Sequence, residues 1–172
     1  MQTYLITTDE VSKLTRGMSV YISGDKIEAY IREAENMDVR PALGDTLFSD
    51  IKAEPEKYQL LLSGGEYETK CGDKRILVGL KSALAYYSYA RLVKNIDGNV
   101  TRFGYVNKDD EYSSRPEFRE KLQAYNDAFD VASRYMKECV DYLRENRDKY
   151  PLCRMGMGKI KTNGATYKII GE

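Results

Sequence analysis

Phe118, Leu122, Tyr125, Phe129, Ala132, Met136, Cys139 and Leu143 follow one another at spacings that alternate four and three. That repeat keeps one apolar stripe on a single face of a long helix. Ser114-Arg115-Pro116-Glu117 supplies a start, with proline suited to a first helical position, and Tyr150-Pro151 supplies an end. From Glu117 to Asp148 such a helix would run about 48 Å. The fold class expected is mainly α: a helical bundle with a long C-terminal helix, plus small β-hairpins or arms.

The preceding sequence reads as shorter helices. Thr7 and Glu10 have the spacing of a capping box, and Gly17 is expected to stop the helix they start. Asp25 and Glu28 repeat that spacing. Ile27, Tyr30, Ile31, Ala34 and Met37 then share one helical face, and Pro41 is expected to end the helix. Gly44-Asp45 opens a short helix carrying Leu47, Phe48 and Ile51. Pro55 opens another carrying Tyr58, Leu61 and Leu62, and Ser63-Gly64-Gly65 terminates it. Leu80 to Val93 is apolar around most of its circumference, which predicts the centre of the core, with part of its cover supplied by a neighbouring subunit.

Two stretches read as hairpins. In Glu66 to Val78, Tyr67 and Thr69 alternate with charged residues, Cys71-Gly72-Asp73 turns, and Arg75-Ile76-Leu77-Val78 returns. In Lys159 to Ile169, Asn163-Gly164 is a preferred two-residue turn. An isolated hairpin is marginally stable, so this one needs a partner surface, either another chain or its own domain. Asn95 to Ser114 reads as loop, because of Gly98, Gly104 and the polar run Asn107 to Glu111. Gln2 to Ile6 reads as extended. The chain divides into an N-terminal arm and short helix (1–22), a helical domain (23–150) and a tail with a hairpin (151–172).

The sequence holds no histidine, which removes Ser-His-Asp and Cys-His catalysis and imidazole metal ligation. Gly64-Gly65 lacks the Lys-Ser/Thr of a phosphate loop. Asp109-Asp110-Glu111 lacks the alternating ligands of a calcium loop. Glu33/Glu35 and Asp9/Glu10 suit helix surfaces and caps. Cys71, Cys139 and Cys153 are odd in number and far apart, so they suggest neither disulfides nor a thiolate metal site. No catalytic, cofactor-binding or metal residue is assigned, no cofactor is expected, and the chain is expected not to be an enzyme. No apolar run reaches the ~20 residues of a membrane span, and the N-terminus lacks the basic start of a signal peptide.

Lys and Arg number 27 and Asp and Glu 27, so the chain has no net charge, whereas nucleic-acid binders usually carry a basic excess. Arg102, Lys108, Arg115 and Arg119 do flank Phe103 and Tyr105, but Asp109, Asp110, Glu111 and Glu117 dilute their field. The 15 tyrosines, against 4 phenylalanines and no tryptophan, leave two readings open: a core that uses tyrosine, or a contact surface.

The order of features completes the reading: an amphipathic helix, Leu43-Gly44, a Tyr58-Gln59-Leu60-Leu61-Leu62 helix, Gly64-Gly65-Glu66-Tyr67, Gly79-Leu80-Lys81, a tyrosine-rich helix, Thr101-Arg102-Phe103-Gly104 and a long C-terminal helix. From Asp25 to Tyr150 this resembles the head-to-tail connector (neck or adaptor ring) proteins of tailed bacteriophages, especially crAss-like phages and prophages of Bacteroides-type hosts. The resemblance implies a structural virion protein, found in the host cytoplasm during assembly. It implies a homo-oligomeric ring, typically of twelve subunits, below the portal. Its partners would be the portal protein, the next neck or tail ring protein, and double-stranded DNA passing without sequence-specific binding. It implies no catalytic residue and no membrane contact. Candidate gripping segments are Gln2 to Ile6, Glu66 to Ile76 and Lys159 to Ile169.

Heterologous contacts close into rings and give each subunit two different faces, which agrees with that use. The alternative is a small helical nucleic-acid-binding or regulatory protein, for which a basic patch at Lys94, Arg102, Lys108 and Arg115 would speak.

Overall fold

The computed structural model describes residues 4–19, 21–96, 98–102, 104–107 and 118–153. In chain order the elements are α1 (Thr8–Leu14), α2 (Gly24–Ala34), a π turn (Glu35–Val39), α3 (Arg40–Leu43), α4 (Asp45–Ala53), a 3₁₀ turn (Pro55–Tyr58) and α5 (Gln59–Ser63). They continue with β1 (Gly65–Glu68), β2 (Lys74–Leu77), α6 (Leu80–Asn95), β3 (Gly98–Thr101), β4 (Gly104–Asn107) and α7 (Phe118–Glu145). The protein is mainly helical, with a long C-terminal helix and small antiparallel hairpins.

The core forms around α6, which packs against α1, α2, α5 and α7. Leu80, Ala83, Leu84, Ala85, Tyr87 and Ala90 are essentially inaccessible. Within the chain these elements cover most of α6, while Lys94 and Asn95 at its end are exposed. Burying one such leucine contributes about 2 kcal/mol. The α7 stripe is buried from Phe129 through Leu143, and Tyr87 of α6 meets Phe129 edge to face with ring centroids 5.1 Å apart. Phe118 and Leu122 belong to the same repeat but stand out of the core at 77% and 37% exposure. α7 has 28 residues and α6 has 16, so α7 outruns its partner by about 18 Å.

The tyrosines are largely core. Tyr58, Tyr87, Tyr142 and Tyr150 are buried, and each hydroxyl finds a partner: Tyr58 donates to Asp50, Tyr87 to Ser133 at 3.3 Å, and Tyr142 and Tyr150 bond each other at 3.1 Å.

Several details differ from the sequence reading. The Thr7–Glu10 capping box forms, but α1 ends at Leu14, three residues before Gly17. Asp25 lies inside the first turn of α2, whose N-cap is Ser23, with no side-chain capping bond. Pro41 does not end that helical run; the chain stays helical to Leu43 and stops at Gly44, φ +85°. The π turn explains this. Arg40 N–H bonds the Glu35 carbonyl in the wider spacing, so the chain reaches Pro41 without the ring clash and missing donor of a regular α-helix. The extra residue also rotates the apolar face. Met37 turns outward at 52% exposure and Val39 turns inward, whereas Glu35, four residues after Ile31 and bonded through its N–H to the Ile31 carbonyl, is still on the buried face of α2. The stretch expected to be loop contains β3 and β4, paired Gly98↔Asn107 to Thr101↔Gly104. Here the strand preference of Val100, Thr101, Tyr105 and Val106 outweighs the glycines, which sit at the strand starts. The helix start at Ser114 to Glu117 and the hairpin expected over Lys159 to Ile169 lie outside the described residues.

Candidate interface surfaces

Two dissimilar surfaces lie near the two ends of α7. The first is the β1–β2 hairpin, held against the C-terminal turns of α7. Its pairs are Gly65↔Leu77, Glu66↔Ile76, Tyr67↔Arg75 and Glu68↔Lys74. Side chains alternate across a strand. Tyr67 and Arg75 therefore point to one face, where the Tyr67 ring meets Tyr142 edge-on at 4.9 Å and Arg75 pairs with Glu145 at 2.9 Å. Lys70 adds a second ion pair to Asp148 at 2.6 Å. Glu66, Glu68, Lys74 and Ile76 point to the other face, away from α7, with Ile76 74% exposed.

The base of this hairpin is fixed by two glycines. Gly64 (φ +77°) and Gly79 (φ +98°) both occupy conformations that side chains rarely adopt. A Cβ on Gly64 would lie within 2.4 Å of the Leu77 carbonyl oxygen, so only glycine allows the end of α5 to cross the start of α6 this closely. Gly64-Gly65 thus serves a backbone crossing rather than a ligand.

The second surface is an open groove of about 430 Å³ at the other end of α7. It is formed where Met18 and Ile22, Tyr89, Leu92 and Ile96 of the α6 end, and Ala124 of α7 converge. Leu122 and Phe118 stand on the exposed turns of α7 beyond Ala124, and Tyr21 is 94% exposed. From Lys121 to Glu145 along α7 the rise is about 36 Å, which separates this groove from the hairpin.

The Tyr4–Ile6 segment does not project as an arm. Ile6 is 3% exposed in the core, and the Leu5 N–H donates to Glu35 Oε1 at 2.6 Å. Glu35 is correspondingly not the surface acid that its sequence position suggested. It is buried, and Lys52 Nζ holds its other oxygen at 2.6 Å. Glu10 closes the α1 capping box and also pairs with Lys81 at 2.5 Å. Burial pushes its carboxyl up, but the bonds from Lys81 and Thr7 outweigh that and hold it below its ordinary value. Glu33 faces Arg91 at 3.6 Å, and Arg91 pairs more closely with Asp38, at 2.6 Å. These acids are all in structural pairs.

Of the cations named for a nucleic-acid patch, Lys94 stands over the Tyr125 ring at 4.9 Å and Arg102 is engaged in a contact. Lys108, Arg115, Phe103 and Asp109 to Glu111 lie outside the described residues. Among the described residues no group of three or more Cys, Asp or Glu is placed to hold a metal ion, and no helix is long and apolar enough to cross a membrane.

The hairpin was legible from sequence alternation. The groove was not, because its walls come from three segments far apart in the chain. The burial of Glu35 was hidden by its charge: it stands four residues after Ile31 on the buried face of α2, a place an acid rarely takes without a partner.

Residues 39–156 match the pattern of a protein family described as a family of unknown function, DUF6712. No curated protein matches the chain, and no solved structure does.

Proposed function

The chain belongs to the DUF6712 family, and we propose that it is a structural virion protein that forms a homo-oligomeric ring, typically twelve-fold, at a phage head-to-tail junction. The ring sits below the portal protein and above the next neck or tail ring protein, and double-stranded DNA passes through its lumen. The observation that carries this reading is the pair of dissimilar surfaces separated along α7, a clamped hairpin near one end and an apolar groove near the other. A subunit in a closed ring needs two different faces for its neighbours and further faces for the rings above and below. The order of sequence landmarks from Asp25 to Tyr150 supports the same reading. Zero net charge suits a lumen through which DNA slides without being held.

The test is native mass measurement with negative-stain imaging of the purified chain, alone and with a cognate portal. Closed rings, or a ring seated on the portal, support the reading. A protein that stays monomeric at high concentration and binds duplex DNA with steep salt dependence overturns it in favour of a nucleic-acid-binding protein.

A further inference from the structure

We propose that the outer edge of β1 is a strand-acceptor site, and that its occupant is the segment Lys159–Ile169 of a second copy of this chain. The inference rests on the ring reading above and names one of its contacts.

Among the described residues, β1 and β2 form a sheet of two strands only. The outer edge of β1 therefore presents backbone donors and acceptors with no strand beside them, the feature that strand addition uses. This edge is set in place before any partner arrives. The Gly64–Gly79 crossing fixes its base, and the Arg75–Glu145, Lys70–Asp148 and Tyr67–Tyr142 contacts fix its inner side. Preorganisation lowers the entropy cost of binding.

The charge pattern selects the incoming strand. Glu66 and Glu68 are exposed and two residues apart, so they share the outward face of β1. On β2 the outward residues are Lys74 and Ile76. A strand carrying lysines at the same two-residue spacing is attracted to the β1 edge and repelled from the β2 edge. Lys159-Ile160-Lys161 has that spacing, and 159–169 contains Lys168 as well and no acidic residue.

The place where the described chain ends agrees. Cys153 is buried, and its N–H bonds the carbonyl of Tyr150. Tyr150 bonds Tyr142, whose ring meets Tyr67 of β1. Cys153 therefore lies near the end of α7 that carries the acceptor edge, and five residues, 154–158, can span at most about 17 Å before Lys159. Neighbours in a cyclic ring have the same orientation to its axis, so a donor and an acceptor at one level meet between adjacent copies.

The test uses charge reversal in the full chain. One variant is E66K/E68K, the other K159E/K161E. Glu66 and Glu68 are exposed, so the first variant should keep the circular dichroism and melting behaviour of the parent; the same two measurements on the second confirm that its body stays folded. Each alone should lose assembly, with the ring fraction in native mass spectra falling about ten-fold or more. Mixing the two should restore rings that contain both, because each then offers the charge the other lacks. Rings from either variant at the parental level overturn the inference while leaving the ring reading intact. So does failure of the mixture when the four-fold variant E66K/E68K/K159E/K161E assembles, since the pairing is then made within one chain. A parent that forms no ring at any concentration overturns both.

Discussion

Gly79 lies backbone to backbone against Gly64: a Cβ on Gly79 would come within 2.5 Å of the Gly64 nitrogen. This contact sets where α5 leaves the core, where α6 enters it, and how the β1–β2 hairpin projects. A methyl group at either position has to displace main chain rather than a flexible side chain, and it also meets a positive φ. Gly64→Ala and Gly79→Ala are each expected to destabilise the protein by about 3 kcal/mol or more. Gly72 also has positive φ, at +87°, but its Cβ would meet nothing nearer than 3.9 Å. Gly72→Ala should cost only about 1 kcal/mol. Urea denaturation of the three variants checks the order.

Glu35 and Lys52 form an ion pair whose carboxylate is buried, with side chains 2% and 25% exposed. Lys52→Met leaves a buried carboxylate with only the Leu5 N–H to stabilise it, and is expected to cost about 2–3 kcal/mol. Glu35→Gln keeps an acceptor for Leu5 and should cost less, about 1–2 kcal/mol. The double variant Lys52→Met/Glu35→Gln removes the stranded charge and is therefore expected to be more stable than Lys52→Met alone. A double-mutant cycle read by chemical denaturation decides it.

How much of this was written in the sequence depends on how local each signal is. The Tyr125 to Leu143 repeat and the apolar Leu80 to Val93 stretch were legible because both obey one period over many residues. Phe118 and Leu122 obey the same period yet stand in solvent, since exposure there depends on where α6 ends. Pro41 does not end the helix, because the π turn before it removes the clash that proline normally brings. Met37 left the buried face for the same reason, whereas Glu35 stayed on the face of Ile27 and Ile31 with its charge met by Lys52. The β1–β2 hairpin was legible from alternation. The acidic outward edge of β1 became visible only with the register that pairs Glu66 with Ile76 and Glu68 with Lys74. The apolar groove needs Met18, Tyr89 and Ala124 to meet, and nothing local in any of the three announces it.

Glu10 gives the molecule an acid-sensitive joint between α1 and α6. Burial raises its pKa, but the Lys81 bond, the Thr7 bonds and the Lys81 charge bring it below the ordinary 4.5. A carboxyl depressed in the folded state contributes stability that is fully present above its unfolded pKa and is lost as pH falls through the folded value. Glu10→Gln should therefore lower Tm by a constant amount above about pH 5.5, and the deficit should shrink below about pH 4.5. Thermal melts of both proteins from pH 3 to 8 measure it; a deficit that grows on acidification would contradict the sign.

The three thiols report on packing at three places. Cys71 is exposed in the β1–β2 turn, whereas Cys139 and Cys153 are buried. Burial, helped by the charge of Glu138, pushes the Cys139 thiol up to about 12, and burial also raises Cys153. Thiolate is the reactive form, so at pH 8 the native protein should modify rapidly at Cys71 alone. Cys139 sits in the α6–α7 interface and should react only as fast as the whole molecule unfolds. Cys153 depends on a smaller anchor: Tyr150, which stacks on Tyr58 at 5.5 Å and bonds Tyr142. Tyr150→Ala should therefore speed labelling of Cys153 well beyond that of Cys139, by loosening the turn after α7 while α6 and α7 stay packed. Thiol labelling followed by peptide mass mapping separates the two sites. Equal acceleration at both would mean that the post-helix turn and the core open as one unit.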